Sequence, residues 1–133
     1  MLEIQSIPVG QKKMNSQETP QEGDIWLVKF AKLKEFSKPY RPCLVVSNNT
    51  QNQFDKNIVV VGLTTDEMEQ IRTFEVFIKN TPATGLDEPS KICCNYLHTV
   101  NKKLRLVGKK RLGVASQETL EKVKVALTIV LNL

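Results

Sequence analysis

Histidine is almost missing from this chain: His98 is the only one in 133 residues. Cysteine is scarce too, with Cys43, Cys93 and Cys94 and no Cys-x-x-Cys pair. A zinc centre needs several His or Cys ligands at set spacings, so no metal or other cofactor is expected. The odd cysteine count and the adjacent pair argue against a disulfide framework, and reduced thiols in a cytoplasmic protein are the simplest account. Aromatic residues make up only 6% of the chain, which leaves little for a base-stacking platform. No apolar run reaches transmembrane length, and the first residues do not form a basic segment leading into an apolar one; no membrane association is expected. Repeats and low-complexity tracts are lacking as well.

What remains is an ordinary soluble composition, 41% hydrophobic and 25% charged, in a chain long enough for one domain with a real core. The net charge of +5 tilts towards an anionic partner, nucleic acid first. Residues 1–21 are polar and broken by Pro8, Gly10 and Pro20. They read as an ordered segment of at most a few residues and otherwise a flexible arm, leaving residues 22–133 as the domain.

Short β-branched apolar runs follow one another along that domain. Residues 25–30 read as a strand, with Ile25, Leu27 and Lys29 on one face and Trp26, Val28 and Phe30 on the other. Residues 40–47 and 58–65 read as two buried strands, and residues 74–78 and 90–98 as two more. A short helical turn and a last short strand fit between residues 101 and 115. Ser116 is a good N-cap for a helix over 117–131, whose Leu120, Val123, Leu127, Val130 and Leu131 share one face. The sum is a small, curled, mostly antiparallel sheet with a terminal helix laid against it.

Candidate functional residues collect at strand ends. Arg41 opens one strand and Thr64 closes the next, so antiparallel pairing sets a permanent cation beside a hydroxyl, a reasonable place for a phosphate. The plainer reading of Arg41 is a solvated edge residue. Residues 31–40 form a basic loop with Lys32, Lys34 and Lys38. Residues 48–57 read as an amide-rich loop; its Asn and Gln side chains suit turns and also suit base edges. Phe54 within it either plugs the end of the core or stacks on a base. Tyr96 is either a stacking residue or an ordinary strand aromatic.

In this order and spacing the residues resemble the MazF/PemK family of toxin-antitoxin ribonucleases. The resemblance rests on Gly23-Asp24-Ile25-Trp26, on Arg41-Pro42-Cys43-Leu44-Val45-Val46-Ser47-Asn48, on Asn52-Gln53-Phe54 and on Val60-Val61-Gly62-Leu63-Thr64-Thr65. His98-Thr99-Val100, Gly113-Val114-Ala115-Ser116 and Leu120-Glu121-Lys122-Val123 complete it. It implies an SH3-like small barrel of the CcdB/PemK type and a homodimer. It implies metal-independent, sequence-selective cleavage of single-stranded RNA, and a cognate antitoxin that occupies the RNA groove. Arg41 and Thr64 take the positions tied to cleavage. His98 is the one titrating candidate for acid–base work, unless it only contacts phosphate or solvent. The RNA surface is drawn from Lys32, Lys34, Lys38, Asn52, Gln53, Phe54, Thr65 and Tyr96. One departure stands out. Some relatives carry an acid, a Gln and an Arg where this chain has Asn95, Tyr96 and His98, so a mechanism needing that carboxylate cannot run here. Two competing readings are a gyrase-poisoning protein of the CcdB branch and a silent RNA- or antitoxin-binding module.

Overall fold

The computed structural model of the chain describes residues 16–30 and 39–133. Its elements are β1 (Asp24–Lys29), β2 (Tyr40–Val45), α1 (Asn49–Phe54), β3 (Asn57–Thr64), β4 (Glu75–Ile78), β5 (Ser90–Asn101), α2 (Lys102–Arg105), β6 (Gly113–Val114) and α3 (Gln117–Leu131). The strands form one six-stranded sheet in the order β4-β5-β3-β2-β1-β6. Every neighbouring pair is antiparallel.

The alternation read in β1 explains why this sheet has two apolar faces. Ile25 joins Leu44, Val61, Leu63 and Ile92 beneath Val123 and Ala126 of α3. Trp26, Val28 and Phe30 point the other way and pack with Cys43, Val45, Ile58, Val60, Val100 and Leu106. Leu106 comes from the segment after α2 and bridges to Val28, so the chain crosses the second face and the sheet curls into a half-barrel. Mainly β with a C-terminal helix is therefore the observed architecture.

The Gly23-Asp24-Ile25-Trp26 start has a packing reason. Gly23 has φ +91°, a backbone conformation that side chains rarely adopt, and a Cβ there would also press on the tip of Leu120 of α3 at 2.9 Å, so glycine suits this turn into β1. Asp24 is buried, and its Oδ2 accepts from the Gln21 amide at 2.8 Å and from Trp26 Nε1 at 3.4 Å. Its Oδ1 pairs with Arg111 at 3.2 Å, which ties the chain before β6 back to β1. Helix α3 runs as the periodicity indicates. Ser116 Oγ accepts from the Thr119 amide, and left-handed Asn132 (φ +58°) ends the helix.

Two expectations change. The segment 48–57 contains a helix, α1, started by Asn48, whose side chain accepts from the Gln51 amide; six residues are too few for periodicity to announce it. Strand β5 runs to Asn101 and is interrupted. Val61 faces Leu97 while Gly62 faces Cys93, leaving Cys94, Asn95 and Tyr96 opposite no residue of β3. Within residues 1–21 the described segment, from residue 16, packs on the domain: Gln17 Nε2 donates to the Gly108 carbonyl at 2.7 Å, the Glu18 amide donates to the Lys109 carbonyl at 2.8 Å, and Pro20 is buried. Residues 1–15 lie outside the described residues.

Asn52 changes role in this setting. It is fully buried. Its Oδ1 accepts from Ser47 Oγ at 2.5 Å and its Nδ2 donates to the Ser47 carbonyl at 2.9 Å. The amide welds α1 to the end of β2 and has nothing left for a base edge. Asn52→Ala removes the donor to the buried Ser47 carbonyl and leaves Ser47 Oγ only its contacts with the Val59 backbone; it is expected to cost about 1–3 kcal/mol of stability, read from urea unfolding, and an unchanged midpoint would contradict the internal role. Thiol chemistry offers a second check. Burial pushes the Cys43 and Cys94 thiols up to about 12 and Cys93 to about 11. At pH 8 the folded protein is expected to titrate no fast thiol with a disulfide reagent, and all three once unfolded.

Candidate active site

Pairing of β2 with β3 builds the site. Cys43 faces Gly62, Leu44 faces Val61 and Val45 faces Val60. Continuing this register towards the start of β2 sets Arg41 opposite Thr64, on the face away from α3. Both side chains are half-buried and line one cleft of about 340 Å³. Tyr40, Pro42, Leu63 and Thr65 line it with them, and so do three carboxylate residues, Asp66, Asp87 and Glu88. The Asp66 amide donates to Thr64 Oγ1 at 3.1 Å. That bond uses an acceptor site and leaves the hydroxyl proton to be donated into the cleft.

Behind Thr64 sits a buried ammonium. Lys91 faces Thr64 across the β3–β5 pair. Its Nζ donates to the carbonyls of Glu67 and Gln70, at 3.0 and 3.1 Å, and to Glu75 Oε1 at 3.2 Å. Three donors meet three acceptors, so the charge is both neutralised and fully hydrogen-bonded. The Lys91 and Glu75 side chains are 4% and 6% exposed. Glu75 Oε1 also accepts from the Arg72 amide at 2.9 Å. The loop after β3 is thus wound round the ion pair, with Glu67 held in the left-handed region at φ +51°. Asp66, which positions Thr64, belongs to that loop. Cys93 lies on the same face, opposite Gly62 and Glu75. Burial and then the Glu75 carboxylate raise its thiol, against Lys91, Arg41 and Arg72, so it is no nucleophile.

The other residues drawn from the sequence scatter. Thr65 is in the cleft. His98 is not among its lining residues. It faces Val60, four residues before Thr64 on β3 and about 13 Å along the strand. Its ring packs on Phe30 at a centroid distance of 4.9 Å. Tyr96 sits in the irregular part of β5, half exposed. Gln53 and Phe54 lie on α1, beyond the start of β3, and Asn52 faces inward. Lys32, Lys34 and Lys38 lie outside the described residues.

Tyr40, Asp66, Asp87, Glu88 and Lys91 were not singled out from the sequence. Only Lys91 left a signal there, as a lone charge at the head of the apolar run Ile92-Cys93-Cys94. Removing one buried partner leaves the other unpaired, which costs about 3–5 kcal/mol. Lys91→Met is expected to lose stability on that scale, and Lys91→Met/Glu75→Met to recover part of it. A double-mutant cycle in urea checks this, and additive losses would refute the coupling.

A family profile described as PemK-like, MazF-like toxin of type II toxin-antitoxin system matches residues 21–131. The fold is similar to that of several solved structures. An endoribonuclease in complex with its cognate antitoxin, from a mycobacterial species, is 24% identical with a TM-score of 0.69, over 86% of this chain and 96% of that one. The Mycobacterium tuberculosis toxin MazF-mt6 is 18% identical with a TM-score of 0.67, over 83% and 97%. MazF from Deinococcus radiodurans is 18% identical with a TM-score of 0.68, over 88% and 100%. No curated protein matches the chain in sequence. With the profile spanning the whole sheet and α3, and the fold shared along nearly the full length of these structures, the chain belongs to the PemK-like, MazF-like toxins of type II toxin-antitoxin systems.

Proposed function

We propose that this toxin is an endoribonuclease that cuts single-stranded RNA, by metal-independent attack of a ribose 2′-hydroxyl on the adjacent phosphorus. The products are a 2′,3′-cyclic phosphate and a 5′-hydroxyl. The observation that carries the reading is the meeting of Arg41 and Thr64 in one cleft. In the transition state negative charge grows on the non-bridging phosphate oxygens. Arg41 meets it with a planar fork that stays protonated, and Thr64 adds one donor held in place by the Asp66 amide. Arg41 is too basic to take the 2′-hydroxyl proton. Asp66, Asp87 and Glu88 are the described carboxylates at the cleft that can accept it. The protein acts as a homodimer, is silenced by a cognate antitoxin that covers the groove, and works in the cytoplasm on messenger RNA. Among the described residues no helix is long and apolar enough to cross a membrane.

The test is cleavage of a long single-stranded RNA in EDTA, with the product ends identified. Wild-type protein is expected to give cyclic phosphate ends. Arg41→Ala is expected to cut about 100- to 1,000-fold more slowly, the loss of one charged transition-state donor. Thr64→Val is expected to lose about 10-fold, the worth of one neutral donor. A folded, antitoxin-free protein that binds RNA and leaves it intact would make the chain a silent binding module.

A further inference from the structure

Among the described residues the lining of the cleft has one cation, Arg41, against Asp66, Asp87 and Glu88. The nearby Lys91 is committed to Glu75. More positive charge among the described residues stands at the opposite end of the sheet.

There α1 and α2 are locked together. Lys102 Nζ donates to the carbonyls of Asn52 and Gln53 at 2.7 and 3.0 Å, and the Lys102 amide donates to the Lys56 carbonyl at 2.9 Å. These bonds satisfy carbonyls left open at the end of α1, and they fix the two short helices as one rigid corner. The corner presents two large apolar side chains to solvent, Phe54 at 77% and Leu104 at 73% exposed. Lys56 and Lys103 on the same corner are exposed and Arg105 is half-buried. Neither helix contains an acidic residue. The one carboxylate in the connection to β3, that of Asp55, accepts from the Asn57 amide at 2.9 Å. An exposed aromatic ring on a corner that also carries exposed cations offers what a single-stranded nucleic acid needs: a face for one base and counter-charges for its phosphates.

We propose that the α1–α2 corner is a second RNA subsite, in which one base stacks on Phe54 while Lys56, Lys103 and Arg105 meet the flanking phosphates. It extends the ribonuclease reading, since the same strand would reach the cleft, but binding at the corner is measurable without cleavage. Seven residues of β3 separate the corner from Thr64, about 23 Å. A stacked strand rises about 3.4 Å per nucleotide, so roughly seven stacked nucleotides link the two places. The corner thus supplies affinity, and the cleft supplies chemistry.

The test uses the full chain and a fluorescent 15-nucleotide single-stranded RNA in its 2′-O-methyl form, which lacks the attacking hydroxyl and stays intact. Anisotropy gives Kd as a function of salt, and unmodified RNA of the same sequence gives the cleavage rate at saturation. Phe54→Ala alters an exposed residue, so folding is not at stake. It is expected to weaken binding about 5- to 100-fold, the range for losing one base–aromatic stack, with the saturating rate unchanged and with Phe54→Trp restoring affinity. Lys56→Ala/Lys103→Ala is expected to lower the slope of log Kd against log salt by about 1.4, two single-strand phosphate contacts. Val125→Ala, at an exposed position of α3, is expected to change neither. Wild-type affinity and salt slope in both corner variants would overturn the subsite, even if cleavage proceeds normally. So would a wild-type protein that fails to bind the probe. Phe54-dependent binding by a protein that cuts nothing would keep the subsite and remove the ribonuclease reading.

Discussion

The register between β2 and β3 is the constraint on which the site depends. Cys43 opposite Gly62 and Val45 opposite Val60 are apolar or small pairs on the inner face of the half-barrel, and Leu44 opposite Val61 belongs to the helix side. A slip of one residue would move each set to the wrong face. Leu44 would then leave the layer under α3 and Arg41 would enter it. Burying a guanidinium there without a partner costs more than any other pairing recovers. The apolar packing of the middle of the two strands therefore determines where their ends lie. The juxtaposition of Arg41 with Thr64 follows from core residues that never touch a substrate.

The same strand carries the second half of the arrangement on its other edge. β3 faces β2 on one side and β5 on the other, so Thr64 stands between Arg41 and Lys91. The two cations differ in kind. Arg41 is half-buried in an open cleft, whereas the Lys91 ammonium is enclosed, with every proton assigned to a carbonyl or to Glu75. The first lines the wall of the cleft. The second spends its charge on the shape of the loop that holds Asp66 and, through it, the Thr64 hydroxyl. Loop geometry and the cleft are therefore coupled: a change at Lys91 or Glu75 would reach Thr64 through Asp66.

Much of this was legible in the sequence because it rests on periodicity. Trp26, Val28 and Phe30 alternate with Ile25 and Leu27, and Leu120, Val123 and Leu127 recur at helical spacing, so sheet faces and helix face were readable. Arg41 and Thr64 were readable as strand ends that antiparallel pairing brings together. The unreadable parts rest on contacts distant in sequence. The inward turn of Asn52 depends on Ser47 meeting α1, and the exposure of Phe54 depends on Lys102, some fifty residues on, taking the carbonyls before it. Phe54 does not plug the core because Ile58, Val100 and Leu106 already fill that end of the inner face. Asp87 and Glu88 reach the cleft from a loop whose path no local pattern states. His98 drew notice for its chemistry alone, while the pairing of β5 places it beside Val60 and Phe30.

The interruption of β5 explains why both strands can be apolar and still deliver a charge. If the pairing of Val61 with Leu97 continued without a break, Gly62 would face Tyr96, Leu63 would face Asn95 and Thr64 would face Cys94. An amide would then lie against the layer under α3, and the residue behind the Thr64 hydroxyl would be a thiol. Skipping three residues on β5 instead sets Leu63 against Ile92, both in the layer under α3, and Thr64 against Lys91. Cys94 enters the core while Asn95 and Tyr96 are exposed. The positions at which some relatives carry an acid and a Gln thus fall on the irregular stretch, which leaves the β3 ladder. A carboxylate missing from that stretch removes no partner from the described Thr64–Lys91 arrangement.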